Sequence, residues 1–320
     1  MNKYIAYSAN NALTALNIVG LNRTKLKLPT SNVDVEFYRR RIEKGLNNFR
    51  LIKKQLKQIN SVLEFGTGIH GIDLMLLSLL GVKEIHTVDI DNHININWAN
   101  HSEIFIEYLS EINEISYSDV NPEKVIAALK EVKNQKEFFD TINGMHYVFR
   151  DFLNIFNSRI DLWYSESNLQ RIPLHSILKI SEKAVENLSV GGLVFHRLDL
   201  ADIYTQPHYP LYIPSLHRFD FLKYNDVVWH LINRDSYSSQ NRLRLAQYHE
   251  LFTTLGLSNV SREEVIYDND IDYINSIQVA PCFKYLPPRE IAIAHARVLY
   301  KKDDGMEGNS ISFTETPGNW

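Results

Sequence analysis

The chain has 320 residues, enough for one large α/β domain or for one domain with additions. Its apolar fraction of 44% and charged fraction of 22% are those of an ordinary globular protein. The net charge of −4 excludes a broad electrostatic attraction for nucleic acid or anionic lipid, and the single cysteine, Cys282, excludes an intrachain disulfide and a multi-cysteine metal site.

Residues 1–60 predict a helical N-terminal extension. Polar residues interrupt the apolar run that a signal sequence needs, and no stretch approaches the roughly 18 apolar residues of a membrane span. We therefore expect a cytoplasmic protein. After Pro29, apolar residues recur every three to five positions between Phe37 and Ile59, which fits one face of a helix. This helix is interpreted as packing on the main domain, and a role in covering a substrate is the alternative.

From Ser61 onwards, predicted strands and helices alternate. Such alternation predicts a doubly wound, mostly parallel α/β sheet with helices on both faces. Right-handed crossovers then place the ligand-facing loops at the carboxyl ends of the strands. The predicted strands are 61–65, 84–90, 144–152, 159–167 and 189–200, and the predicted helices are 72–80, 92–109, 121–133 and 172–188.

The segment after the fifth strand is less regular. Residues 201–240 are rich in aromatic side chains, histidine and proline, and they are too long for a simple loop. We interpret them as a cap-like insertion that binds the substrate, although packing on the sheet or a dimer contact would use the same aromatics. A helix at 241–257 and two strands, 260–268 and 289–302, close a domain that spans 61–302, and 303–320 form a polar tail.

A glycine-rich turn follows the first predicted strand. Gly66, Gly68 and Gly71 have the spacing G-x-G-x-x-G, which lets a backbone approach a ligand at a helix N-terminus. Asp89 ends the next strand, near the offset expected of a carboxylate that binds ribose hydroxyls. This context favours an adenosyl cofactor over an ordinary turn. Glu64 suits the ammonium group of S-adenosylmethionine better than the pyrophosphate of a nicotinamide cofactor.

Four segments, "VLEFGTG", "TVDI", "RIDLWYSES" and "LSVGGLVFHRLDL", resemble motifs of the class I S-adenosylmethionine-dependent methyltransferases and occur in the family's order. The resemblance implies a Rossmann-like fold and S-adenosylmethionine as the cofactor. The chain departs from the family pattern at His70, where the third glycine usually stands, and at Val190, which replaces a proline. It also lacks the Glu-His pair that many small-molecule members carry after strand four.

The same resemblance implies which residues contact the cofactor. The glycine turn would hold the methionyl part, the end of strand two the ribose and adenine, the end of strand three the adenine edge, and the end of strand four the sulfonium. In that order the residues are Glu64, Gly66, Thr67 and Gly68; Asp89 and Ile90; Asp151 and Phe152; and Ser165.

Methyl transfer requires that the acceptor atom be aligned with the methyl group of the cofactor and, where that atom belongs to a hydroxyl, that a base remove its proton. The candidate catalytic residues are His196, Asp199 and His208, with Asp202 and Tyr204 nearby. His196 could instead be a hydrogen-bonded core residue. Asp199, Asp202 and His208 together could bind a divalent metal, but their spacing matches no metal motif, and we predict none.

Two arginines, Arg242 and Arg244, could bind an acidic substrate, or they could lie on a solvated helix start. The predicted function is methyl transfer from S-adenosylmethionine to a small polar acceptor carrying a hydroxyl. A non-catalytic adenosyl-binding protein and an NAD-dependent oxidoreductase are the alternatives. We expect a small-molecule partner, no nucleic acid and no membrane, and we leave a homo-oligomer open.

Overall fold

The computed structural model describes residues 34–90, 94–206, 212–233 and 240–303. The predictions for residues 1–33, for His208 and for most of the C-terminal tail lie outside these ranges. Within them, no helix has the length and apolar character needed to cross a membrane.

A seven-stranded sheet organises the chain in the order β3-β2-β1-β4-β5-β7-β6. The first five strands are parallel to one another, and β7 runs antiparallel between β5 and β6. The predicted doubly wound, mostly parallel sheet is thereby confirmed. The strands are β1 (Ser61–Phe65), β2 (Glu84–Asp89), β3 (Gly144–Val148), β4 (Ile160–Glu166), β5 (Leu188–Asp199), β6 (Leu257–Val265) and β7 (His295–Lys302).

Helices cover both faces of the sheet. In chain order they are α1 (Val35–Gln55), α2 (Ile72–Leu79), α3 (Asn97–Asn100), α4 (Leu109–Ile115), α5 (Pro122–Lys130), α6 (Gln135–Ile142), α7 (Phe149–Ile155), α8 (Leu174–Asn187), α9 (Asp226–Ile232), α10 (Leu245–Thr254), α11 (Asp270–Ser276) and α12 (Pro288–Ile291). Short 3₁₀ helices lie at Ser102–Tyr108, Leu169–Arg171, Ile203–Thr205, Asp220–Lys223 and Pro281–Phe283.

Helix α1 is the predicted N-terminal helix, and the sequence determines its start and its packing. The Asp34 side chain caps it by accepting from the backbone N–H groups of Glu36 and Phe37. Its apolar stripe is buried in the same core as α2 and one face of the sheet. Gly45 allows the close approach, because a Cβ at this position would lie 2.6 Å from Leu76 Cδ2.

Three local predictions need correction. The strand predicted at 144–152 ends at Val148, and the chain turns directly into α7. The helix predicted at 92–109 is divided into α3 and a 3₁₀ helix, which begin without a side-chain cap. The last strand begins at His295 rather than near residue 289, because Pro288 starts the short helix α12.

Four aromatic side chains of segment 201–240 are buried in a third hydrophobic core, namely Tyr204, Phe219, Phe221 and Trp229. Phe219, Phe221 and Trp229 pack there against Ile274 and Phe283, which belong to a second insertion between β6 and β7. The sequence analysis missed this second insertion. The two insertions therefore stabilise each other above the end of the sheet.

Candidate functional site

The glycine turn lies where the chain direction across the sheet reverses. Strand β1 pairs with β2 on one side and with β4 on the other, so the connections from β1 and β4 leave in opposite directions. The carboxyl ends of strands at such a switch point form a crevice, which is where open α/β sheets bind their ligands. The predicted convergence of loops is thus located between β1 and β4.

Left-handed backbone conformations shape the turn. Gly66, Gly68 and Gly71 have φ values of +91°, +58° and +59°, which favour glycine over residues with a Cβ. At Gly68 the nearest atom to a built Cβ is 3.9 Å away, so this Cα is open to a ligand. At Gly66 the Asn168 side chain lies only 2.4 Å from the Cβ position. The turn is therefore open at Gly68, while Asn168 covers Gly66.

A buried hydroxyl chain connects the turn to Glu64. Thr87 Oγ1 donates to Glu64 Oε2, and because that hydroxyl has one hydrogen, Thr67 Oγ1 donates to Thr87 Oγ1. Burial raises the pKa of the Glu64 carboxyl to about 8, against the lowering effect of the Thr87 hydrogen bond, and Asp73 and Asp89 raise it further. Glu64 is thus held largely protonated at neutral pH in the free protein.

Asp89 stands at the end of β2 beside the turn. Its Oδ2 accepts from the Gly68 backbone N–H at 2.8 Å, and its Oδ1 accepts from the Ile90 backbone N–H at 2.6 Å. The Ile90 side chain is 56% exposed, an apolar surface beside a carboxylate. A ribose with its base fits such a neighbourhood, and the roles predicted for Asp89 and Ile90 stay predictions.

The end of β3 differs from the expected geometry. Phe152 is on α7 and fully buried, with its ring packed edge-on against Phe65. The predicted adenine contact of Phe152 therefore disagrees with its place in the core, and the physical reason is the early start of α7. Asp151, its neighbour, is exposed in the first turn of α7, and its predicted contact stays a prediction.

Ser165 and His196 form a buried pair on neighbouring strands. Ser165 Oγ and His196 Nδ1 are 2.9 Å apart, and neither residue is exposed. The imidazole packs against Trp163 and Phe252. Burial lowers the pKa of His196 to about 3. This environment favours the core role for His196 over the predicted catalytic one, and it places Ser165 below the edge of the sheet rather than at its mouth.

A charged cluster that no sequence pattern predicted lies at the end of β4. The buried Glu166 carboxylate is bound by Lys44, by Arg197 Nη1 at 3.1 Å and by Asn48 Nδ2 at 2.9 Å. Burial alone would raise the pKa of Glu166, but Lys44 and Arg197 hold it below its ordinary value. Because Lys44 and Asn48 belong to α1, the N-terminal helix reaches the edge of the candidate site.

Asp199, at the end of β5, lies beside a histidine that the sequence analysis also missed. His295 Nδ1, at the start of β7, is 3.2 Å from Asp199 Oδ1, and the Gln206 amide donates to Asp199 Oδ2. Burial alone would raise the pKa of Asp199, but His295 and then Arg197 hold it below its ordinary value. The antiparallel register pairs Asp199 with His295, which no local sequence signal reveals.

The remaining acceptor-side candidates are mostly structural. Asp202 is buried and caps a 3₁₀ helix by accepting from the Tyr204 backbone N–H, and Tyr204 is buried in the third core. His208, the third predicted catalytic residue, lies outside the described residues. Among the residues that are described, no group of three or more His, Cys, Asp or Glu side chains could hold a metal ion.

Arg242 and Arg244, predicted either to bind an acidic substrate or to lie on a solvated helix start, are buried and donate hydrogen bonds within the protein. Arg242 donates to Asp226 and to the Tyr224 carbonyl, both at 2.5 Å. Arg244 is fully buried and donates to the carbonyls of three residues, Leu200, Ile291 and Ile293. Both the solvated-start interpretation and the substrate-binding interpretation are therefore corrected: these arginines tie the insertions to the sheet.

No protein-family model matches the chain, and no curated protein matches it. Solved structures do match. The O-methyltransferase from the trans-AT PKS multienzyme of Brevibacillus brevis, in complex with S-adenosyl-L-homocysteine, is 13% identical, with coverage of 85% of this chain and 76% of that chain and a TM-score of 0.45. The N-methyltransferase NodS from Bradyrhizobium japonicum, also in complex with S-adenosyl-L-homocysteine, is 10% identical, with coverage of 83% and 98% and a TM-score of 0.36.

An O-methyltransferase family protein from Burkholderia thailandensis is 9% identical, with coverage of 85% of this chain and 58% of that chain and a TM-score of 0.43. At such identities the residue roles argued below rest on the geometry of this chain. The strand order β3-β2-β1-β4-β5-β7-β6 with an antiparallel β7 is that of the class I methyltransferase fold, and the chain has this fold.

Proposed function

We propose that the protein is an S-adenosylmethionine-dependent methyltransferase that acts on a small polar acceptor. One observation carries the proposal: two carboxyl groups, Glu64 and Asp89, flank an open glycine turn at the switch point of the sheet. Carboxylates at these places suit an α-ammonium group and ribose hydroxyls. A pyrophosphate there would meet like charge from Asp89.

The residues present fit the cofactor. The open Cα of Gly68 admits a ligand to the start of α2, and Glu64 lies behind the turn at the end of the hydroxyl chain. Asp89 would bind the ribose, and the exposed Ile90 would pack on the adenine. Lys44 and Arg197 provide positive charge near the β4 end, where the methionyl carboxylate would be attracted.

The cofactor supplies a methyl group that is already activated on a sulfonium. The chain has to bind both molecules, exclude water and align the acceptor atom with that methyl group. For a hydroxyl acceptor it also has to remove a proton. We propose that the pair His295 and Asp199 does this, with the carboxylate orienting the imidazole as in other base–carboxylate pairs.

Two other functions remain as alternatives. A non-catalytic adenosyl-binding protein would bind the cofactor and transfer nothing, and an NAD-dependent oxidoreductase would bind NAD more tightly. Titration calorimetry with S-adenosylhomocysteine and with NAD distinguishes the proposed methyltransferase from an oxidoreductase, because tighter binding of NAD would contradict the proposal. Incubating polar metabolites with methyl-labelled cofactor, and detecting labelled products by mass spectrometry, separates the first.

Asp89→Ala tests the ribose contact proposed for the end of β2. It should weaken the binding of S-adenosylhomocysteine by about 1–3 kcal/mol, since hydrogen bonds from the ribose hydroxyls to a charged acceptor are lost. Asp140→Ala is the control, because Asp140 is a surface residue paired with Lys136. Wild-type affinity in a folded Asp89→Ala protein would show that the ribose is not bound at the end of β2.

A further inference from the structure

A small pocket lies at the end of β5, beside the proposed base. Asp199, Gln170, Gln206 and Gln240 line it together with Arg171 and Ile203, and its volume is about 10 Å³. Such a volume holds one group of the size of a water molecule. Because Asp199 belongs both to this pocket and to the pair with His295, a group bound in the pocket would lie next to the acceptor side of the site.

The hydrogen bonds around the pocket leave two amide acceptors unused, in a wall that also contains the donor-rich Arg171. Gln170 Nε2 donates to the Ser167 carbonyl and Gln240 Nε2 donates to the Ala201 carbonyl, both at 2.8 Å. The amide oxygens of these two glutamines are buried and have no hydrogen-bond partner among the described residues. Their side chains are only 6% and 4% exposed, so bulk water does not reach them freely. Leaving two such acceptors unpaired is costly.

Counting donors identifies the complementary group. Two amide oxygens and one carboxylate are satisfied by a single small group only if that group carries at least two hydrogens on nitrogen or oxygen. A hydroxyl has one such hydrogen, a carboxylate has none, a water molecule has two, and a primary ammonium has three. Asp199 attracts a cation, since hydrogen bonds between charged partners are the stronger ones, and Arg171, which also lines the pocket, offsets part of that attraction.

We propose that this pocket is a subsite for a primary ammonium group of the methyl acceptor, bound by Gln170 Oε1, Gln240 Oε1 and the Asp199 carboxylate. The inference rests on the proposed function and deepens it by defining the acceptor as an amine-bearing small molecule. Because a protonated amine has no lone pair to offer, the bound ammonium is the recognition group. The atom that receives the methyl group is a different one, such as a hydroxyl oxygen of the same molecule.

The ammonium ion itself is a probe of the right size, and it tests the subsite without catalysis. The protein is titrated with ammonium chloride and, in parallel, with tetramethylammonium chloride at equal ionic strength. The side-chain amide NMR signals of Gln170 and Gln240 are followed, after assignment by their loss in Gln170→Met and Gln240→Met. We expect saturable shifts with ammonium alone. No response to ammonium, or equal responses to both salts, would overturn the proposal.

A second test uses transfer. A polar metabolite extract is divided, and one half is treated in water with the N-hydroxysuccinimide ester of acetic acid, so that primary amines become amides while alcohols stay free. Both halves then receive enzyme and methyl-labelled cofactor. We expect a labelled product only in the untreated half, and the product should keep its primary amine. Labelling that survives acetylation, or a product methylated on that amine, would show that the pocket does not recognise an ammonium group and holds only water.

Variants connect the two tests once the product is known. Gln240→Met removes the amide acceptor, together with the donor to the Ala201 carbonyl, at similar size, and it should raise the KM for the acceptor about tenfold with a smaller change in kcat. Gln240→Glu loses the same bond to Ala201 but keeps an acceptor and adds negative charge, so it should bind the cationic acceptor at least as well as Gln240→Met does. Gln58→Met, at an exposed position remote from the pocket, is the control. An unchanged KM in Gln240→Met contradicts the subsite.

The outcomes separate this inference from the proposed function. Absence of S-adenosylhomocysteine binding contradicts the proposed function, and the ammonium titration is then still interpretable in the free protein. Normal cofactor binding and methyl transfer to an acetylated or amine-free acceptor contradicts only the ammonium subsite.

Discussion

Glu64 provides the sharpest test of the cofactor assignment, because the cofactor's ammonium group should change its protonation. Its pKa in the free protein is about 8, so the carboxyl is about nine-tenths protonated at pH 7. An ammonium group bound nearby favours the ionised form. Binding of S-adenosylhomocysteine at pH 7 should therefore release close to one proton.

Calorimetry measures this release directly. Titrations in several buffers of different ionisation enthalpy give the number of protons that leave on binding. If the pKa of Glu64 falls well below 6 in the complex, the affinity should also rise up to about fifty-fold between pH 6 and pH 8. Glu64→Gln has no proton to lose, so its binding should release none and should lack this pH dependence.

The same carboxyl also affects the stability of the free protein, with a sign that can be worked out. A carboxyl whose folded pKa is raised stabilises the folded state fully below its unfolded pKa, and this contribution is lost as the pH rises towards 8. Relative to Glu64→Gln, the wild type should lose about 3.5 kcal/mol of unfolding free energy between pH 5 and pH 8, as measured by denaturant titration. Proton release that is unchanged in Glu64→Gln, or absent in both proteins, would refute the reasoning.

The other predictions concern packing, capping and strain. Arg244→Met leaves three buried carbonyls without their donor and should destabilise the fold by about 3 kcal/mol or more in urea unfolding, whereas Arg40→Met, on the exposed face of α1, should cost less than about 0.5 kcal/mol. Asn121→Ala removes the cap that accepts from the Lys124 N–H and should cost about 1 kcal/mol. His196→Asn should lower the melting temperature but leave kcat per folded molecule within about twofold, and a loss of activity with a changed pH profile would restore its catalytic role.

Local sequence patterns predicted those parts of the candidate site whose residues lie close together in the chain. The glycine turn, the strand before it and the carboxyl group at the end of the next strand are contiguous patterns, and the structure puts them at one edge. The cap of α5 was also predicted correctly, because Asn121 and Pro122 are neighbours in sequence. These features depend on spacing within a few residues, which the sequence displays directly.

What the sequence did not predict depends on long-range register. His295 reaches Asp199 only because β7 inserts antiparallel between β5 and β6. Lys44 reaches Glu166 only because α1 packs on the face of the sheet over β4. The burial of Phe152 follows from the early end of β3, and no periodicity in "GMHYVFRDF" distinguishes a strand that continues from one that turns into a helix.

Helix α1 packs beside the candidate site and also influences the charges within it. Its apolar residues share a core with α2, Arg41 binds Asp73 of α2 at 2.6 Å, and Lys44 binds Glu166 at the end of β4. Arg41 lowers the pKa of Glu64, whereas Asp73 raises it. A shift of α1 would therefore alter the charge state of the group that we expect to meet the cofactor's ammonium. We therefore expect the position of this helix and the affinity for the cofactor to be coupled through the charges of Arg41, Asp73 and Glu64.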